Sequence, residues 1–250
     1  MRDLSARYYH RRTAIGKERF LETTAGQVRV LCYGLDDTRR LPLFVNIHGG
    51  GFVLGSPEMD DPFMPRIVNE ADVKIVSIDY GLAPEHPFPE PLEQCYAVIK
   101  YVQDHADEFR IDPTRIAVGG HSAGGYFSAA ICVMNAMRKE LNLKAAILDY
   151  PALDLYTPIS EKPLGHGIIA RFYLNRSRMH LYDSCYCLNV EDRMDPLVSP
   201  ILASDDQLRA FPPTLIITAG RDGLCAEAER FSEMLRAVGV DVTHKRFEKA

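Results

Sequence analysis

Apolar positions fall into short β-rich runs that alternate with longer amphipathic stretches from about residue 43 onward, the pattern of a mostly parallel sheet wrapped by helices. The runs 43–48 (LFVNIH), 74–79 (KIVSID), 115–119 (RIAVG), 144–148 (KAAIL) and 214–219 (TLIITA) read as buried strands, because they are short, continuous and rich in Ile, Val and Leu. Residues 18–23 and 27–33 alternate around Ala25-Gly26, which predicts an antiparallel hairpin at the sheet edge, and 240–247 supplies a last strand. The fold class is therefore α/β.

Helices are predicted over 91–105, where Pro91 fits the first turn, over 122–138, which begins directly on a strand end, and over 224–238, with Gly239 as a stop signal. Residues 154–195 differ. They fall between two core strands, are long, aromatic and Arg-rich, and lack strand character, so they read as a cap inserted over the strand ends, where α/β sheets bind ligands. Residues 1–250 are expected to form a single domain.

Composition narrows the classes of function. A formal net charge of -5 offers no positive field for nucleic acid or an anionic membrane surface. Residues 1–13 carry four arginines but no apolar core of a secretion signal, and no later run is apolar enough to span a bilayer, so a cytoplasmic protein is expected. Six scattered cysteines suit reduced thiols better than a disulfide framework in a chain of 250 residues. Cys185-x-Cys187 has no second Cys/His pair at zinc spacing, so no metal site is expected.

Gly120-His121-Ser122-Ala123-Gly124 fits G-x-S-x-G where a strand hands over to a helix, the context in which a serine nucleophile sits on a sharp turn. Flanking glycines let neighbouring backbone approach, and the helix N-terminus favours developing negative charge. A chance match arises in roughly one chain of this length in ten to twenty, and a plain helix-capping serine is the alternative. His48-Gly49-Gly50-Gly51-Phe52 removes much of that doubt. It follows the 43–47 run and matches the HGGG-type element whose bare N–H groups hold the oxyanion in lipases and esterases.

These two motifs, with DYGLAPEHPFP at 79–89, DPLVSP at 195–200 and Asp222 after the 214–219 strand, resemble the hormone-sensitive-lipase-like branch of the α/β-hydrolases, rich in bacterial carboxylesterases and acetyl esterases. The resemblance covers most of the chain. It implies that Gly50, Gly51 and Ala123 donate the oxyanion-hole N–H groups, that His48 shapes the loop rather than acting as base, and that short-acyl esters are the substrates. Gly81 stands where the family usually has Arg, and His121 where it usually has an acidic residue.

Asp222 meets the conditions for the triad acid: it follows the serine in chain order and lies on a loop between a strand and a helix. Asp195 precedes that strand and belongs to the return from the cap. The base should be a histidine on the loop after the final strand, since a near-neutral pKa lets one side chain take and return the serine proton. After Asp222 the sequence offers only His244, inside a strand pattern. Alignment with the family puts the catalytic histidine about two residues past Ala250. Three possibilities stand open: a C-terminally shortened form of an ordinary esterase lacking its final histidine loop and helix; His244 as an unusual base; or a hydrolase-fold protein that has lost catalysis and binds a small molecule under its cap, as plant gibberellin receptors of similar sequence do. A serine peptidase of related fold also suits this nucleophile and oxyanion site.

With a base supplied, Ser122 would attack an ester carbonyl and water would release the acyl group, with no metal or organic cofactor required. Phe172, Tyr173, Tyr182 and Tyr186 are candidates to line an apolar acyl pocket. Without a helix after the last strand, part of one sheet face is expected to lie open, favouring association into a homo-oligomer or low stability.

Overall fold

The structure, a computed structural model, describes residues 14–166 and 174–250. Strands β1 (Lys17–Thr23), β2 (Gly26–Tyr33), β3 (Leu41–Ile47), β4 (Lys74–Asp79), β5 (Ile111–His121), β6 (Leu143–Asp149), β7 (Thr214–Ala219) and β8 (Val242–Phe247) form one sheet in the order β1-β2-β4-β3-β5-β6-β7-β8. Strands β3 to β8 pair in parallel, and β1–β2 and β2–β4 pair antiparallel, so the predicted hairpin is the edge of the sheet.

Strand β5 starts at Ile111 rather than at 115, because Leu41 of β3 pairs with Ile111 and the register shifts before Leu43 meets Ile116. The irregularity absorbs Asp112-Pro113, which in sequence reads as a strand breaker.

The helices are α1 (Met64–Ala71), α2 (Glu90–Asp104), the single turn α3 (Ala106–Phe109), α4 (Ala123–Arg138), α5 (Arg176–Tyr186), the short α6 (Asp205–Arg209) and α7 (Cys225–Ala237). Helix α2 buries Leu92, Cys95, Tyr96, Ile99 and Val102, the spacing of one apolar face, and keeps Glu90 and Glu93 in its first turn, where carboxylates complement the helix dipole. Helix α4 buries every residue from Ala123 to Met134. It is hydrophobic all round because it lies in the core directly behind the turn that carries Ser122. None of the helices among the described residues is long and apolar enough to cross a membrane.

Within 154–195 the described residues form helix α5 and one short 3₁₀ turn, and no strand. Asn175 caps α5 by accepting the Arg178 N–H at 3.1 Å. The helix is anchored by Tyr186, which is fully buried, stacks on Phe52 at 4.2 Å and meets Tyr126 edge-on at 5.5 Å. The Tyr126 hydroxyl donates to the Leu197 carbonyl at 2.6 Å, so the DPLVSP segment is fastened to α4. Phe172 and Tyr173 lie outside the described residues.

Candidate active site

Ser122 stands at the end of β5, the central strand, and caps α4. Its backbone has φ 54° and ψ -116°, a strained conformation for any residue with a Cβ, and it is held there by its own N–H donating to the Asp149 carbonyl at 2.8 Å. The motif glycines are explained by one neighbour. A Cβ on Gly120 or on Gly124 would be driven into the carbonyl oxygen of Ile47, at the end of β3. A helix-capping role needs no such turn, and Ser122 makes no side-chain capping bond.

The glycine loop leaves β3, the neighbour of β5. Gly50 has φ 133° and Gly51 φ 58°. The Gly50 carbonyl turns inward to accept the N–H groups of Val53 (3.2 Å) and Leu54 (3.0 Å), which turns the peptide donors the other way. Among the described residues the Gly50 and Gly51 N–H groups have no backbone acceptor, and Ala123 opens α4, where the first N–H groups lack intrahelical partners. The loop is backed by His48. That side chain is fully buried, stacks on Tyr80 at 4.2 Å and hydrogen-bonds the Gly49 carbonyl at 2.8 Å, while burial pushes its pKa down. The enclosed imidazole thus lies behind the glycine loop and is in contact with its first carbonyl.

Asp222 follows β7, two strands from β5 and at the same carboxyl edge of the sheet. Its side chain accepts the Leu224 N–H at 3.0 Å in a local turn, and the N-cap of α7 is Leu224 itself. Burial raises the Asp222 pKa against the opposing pull of the Leu224 and Gly223 N–H groups. Among the described residues no histidine hydrogen-bonds this carboxylate. His244 sits mid-strand in β8, with Nε2 on the Thr218 hydroxyl at 2.9 Å. Ala250 nevertheless lies against the acid loop, its carbonyl accepting the Arg221 N–H at 2.9 Å. Asp195 turns on itself, accepting the Leu197 N–H at 2.8 Å.

Residues of the 154–195 insertion close on both loops. A Cβ on Gly51 would lie 2.7 Å from the ring of Tyr182, and one on Gly223 would lie 2.8 Å from the Pro163 carbonyl, while the His166 N–H donates to the Arg221 carbonyl at 2.7 Å. A buried ion pair fixes the joint. Glu227 of α7 accepts the Leu153 N–H at 2.6 Å and faces Lys162 Nζ at 3.1 Å, and Lys162 also bonds the Asp154 carbonyl.

One residue gained a place that sequence reasoning did not give it. His121 packs against Gly49, with a Cβ there only 2.6 Å from its ring, and it contacts Asp60 and Tyr150. Beside it, on the face of β3, β5 and β6, opens a cavity of about 680 Å³ with Phe44, Ile67 and Ile147 in its walls and Asp60 and Asp149 against its floor. The available signal for His121 was its place directly before Ser122.

The sequence profile of the α/β-hydrolase fold matches residues 44–250. The chain is 36% identical over 225 residues to a carboxylic ester hydrolase, LipN, of Mycobacterium tuberculosis, an alignment that covers 87% of this chain and 58% of that one. It is 30% identical over 217 residues to an acetyl esterase of Salmonella choleraesuis, covering 86% and 65%. The chain thus spans less than two thirds of the length of these relatives. A solved esterase of the hyperthermophilic archaeon Pyrobaculum calidifontis superposes with a TM-score of 0.87 at 32% identity, over 98% of this chain and 82% of that one. The sheet order, the serine turn on the central strand and these matches agree, and the chain belongs to the α/β-hydrolase family.

Proposed function

We propose that this chain carries the nucleophile, oxyanion site and acid of a carboxylic-ester hydrolase acting on small, short-acyl esters. Ser122 attacks the ester carbonyl, the N–H groups of Gly50, Gly51 and Ala123 hold the oxyanion, and water releases the acyl group. Asp222 orients the base that takes the Ser122 proton. The observation that carries this reading is the juxtaposition, on neighbouring strands, of a serine forced into a strained turn and a glycine loop with uncommitted N–H groups. A base that reaches Asp222 would come from beside the loop that Ala250 touches, where the Ala250 carbonyl accepts the Arg221 N–H. The Tyr182 ring against Gly51 favours small acyl groups, and six free cysteines favour a reducing cytoplasm.

The test is p-nitrophenyl acetate hydrolysis by the 250-residue chain and by a form extended with a His-Gly-Phe continuation, each beside Ser122→Ala. The extended form is expected to exceed the shorter one by several orders of magnitude, since loss of a triad histidine costs up to about a millionfold. Equal Ser122-dependent rates would point to a base within the 250 residues. The insertion that closes on both loops, with Tyr182 against Gly51 and Pro163 against Gly223, also suits one alternative, a ligand-binding protein without catalysis. Absence of Ser122-dependent turnover in both forms, together with stabilisation by a small molecule, would establish it.

A further inference from the structure

We propose that His121 is a positioning residue that holds the oxyanion loop against the nucleophile turn, and that its tie is made or released by one proton on Nε2. The proposal rests on the assignment of Gly50 and Gly51 as oxyanion donors. Three contacts define it. The Gly49 N–H points at His121 Nε2 at 3.1 Å, the same nitrogen lies 3.2 Å from Asp60 Oδ1, and Nδ1 lies 3.1 Å from the Tyr150 hydroxyl.

These contacts compete. To accept from Gly49, Nε2 must carry no proton; to donate to Asp60 it must carry one. In the neutral ring with its proton on Nδ1, Tyr150 receives the donated N–H and Gly49 keeps its acceptor. In the imidazolium, both nitrogens donate, Nε2–H turns to Asp60, and the Gly49 N–H faces another donor. Gly49 immediately precedes the two proposed oxyanion donors, and His121 immediately precedes Ser122, so the imidazole joins the two halves of the site through a single hydrogen bond.

The surroundings act on this proton in opposing senses. Burial of His121 disfavours its charge, but the hydrogen bond and charge of Asp60, with Asp149 beyond, outweigh it and raise the pKa above the ordinary value. Burial acts the other way on Asp60, yet His121 and the Asn46 amide donor at 2.8 Å hold its carboxyl below the usual range. The groups that face His121 are thus Asp60 from the loop before α1, Asp149 and Tyr150 from the end of β6, and His48 from the end of β3. Both His121 and Asp60 line the 680 Å³ cavity, which gives the proton a path.

The experiment follows the Gly49 amide and the His121 ring by NMR in ¹⁵N-labelled protein across pH 5 to 9, and in parallel the rate at which a fluorophosphonate labels Ser122 in the form extended with the His-Gly-Phe continuation. Gly49 is expected to shift with the same midpoint as His121, and Asp60→Asn is expected to lower that midpoint. In His121→Gln, whose side-chain oxygen accepts at every pH, the Gly49 titration is expected to vanish. In the extended form, labelling of His121→Gln should match the wild-type rate at high pH, whereas in His121→Leu it should fall by about tenfold, the worth of one hydrogen bond. A Gly49 amide indifferent to the His121 titration, or His121→Leu labelling as fast as that of His121→Gln, would overturn the proposal. If Ser122 takes no probe in any extended variant, the proposed esterase function fails while the Gly49 titration still decides the tie.

Discussion

Gly124 lies so close against Ile47 that a β-carbon at position 124 would occupy the space of the Ile47 carbonyl oxygen. The first turn of α4 is thereby pressed onto the end of β3, which brings the serine turn and the glycine loop together. Gly124→Ala is therefore expected to cost about 1–3 kcal/mol of stability, the usual cost of forcing an atom into a packed core. A urea melt measures it, and an unchanged midpoint would contradict the packing described.

Ser122 stores backbone strain at φ 54°. Ser122→Gly relieves it, at the cost of a more flexible unfolded chain, and is expected to stabilise the fold by about 1 kcal/mol while abolishing fluorophosphonate labelling. Ser122→Ala, which keeps a β-carbon, should abolish labelling without that gain. Thermal melts of the two variants side by side separate strain from chemistry.

Burial, only partly offset by Lys162, pushes Glu227 up to about 7, and burial likewise pushes Asp183 up to about 6. Both folded pKa values lie above those of the open chain. The stability these groups contribute is thus full below about pH 4, the unfolded range, and is lost as pH rises through 6 and 7. The protein is expected to resist urea better at pH 5 than at pH 7.5, and Glu227→Gln should shrink the difference. A flat profile over that window would place both carboxylates in more open surroundings.

Tyr182 covers Gly51 from helix α5. Tyr182→Ala should open the approach to the oxyanion loop and shift preference from acetyl toward longer p-nitrophenyl esters, chiefly through KM, with a modest loss of stability. No change in chain-length preference would remove Tyr182 from the acyl pocket.

Most of the fold was legible in the sequence because its central strands, such as β3 and β4, are buried and so read as continuous apolar runs. Strand β4 matches its expected bounds, as does β7. The start of β5 was hidden by Asp112-Pro113, a turn signal that pairing with Leu41 overrides. Helix α1 was not expected, since eight residues opening on Met64-Pro65 give too short a period to stand out. At the site, Ser122 and the glycine loop were readable because each demands unusual backbone, and unusual backbone needs glycine at fixed places. Tyr182 was among the candidates for the acyl pocket, but its contact with Gly51 was not readable, nor was the place of His121, because both arise between segments far apart in the chain.

The serine turn is built on β5, with β3 on one side and β6 on the other, and α4 behind it is buried along most of its length. Local fraying cannot reach such a place, so the Ser122 amide, bonded to the Asp149 carbonyl, should exchange with solvent only when the whole sheet opens. The lifetime of the reactive geometry is then the lifetime of the fold, and what adjusts from one substrate to the next is confined to the loops and the inserted segment around its rim.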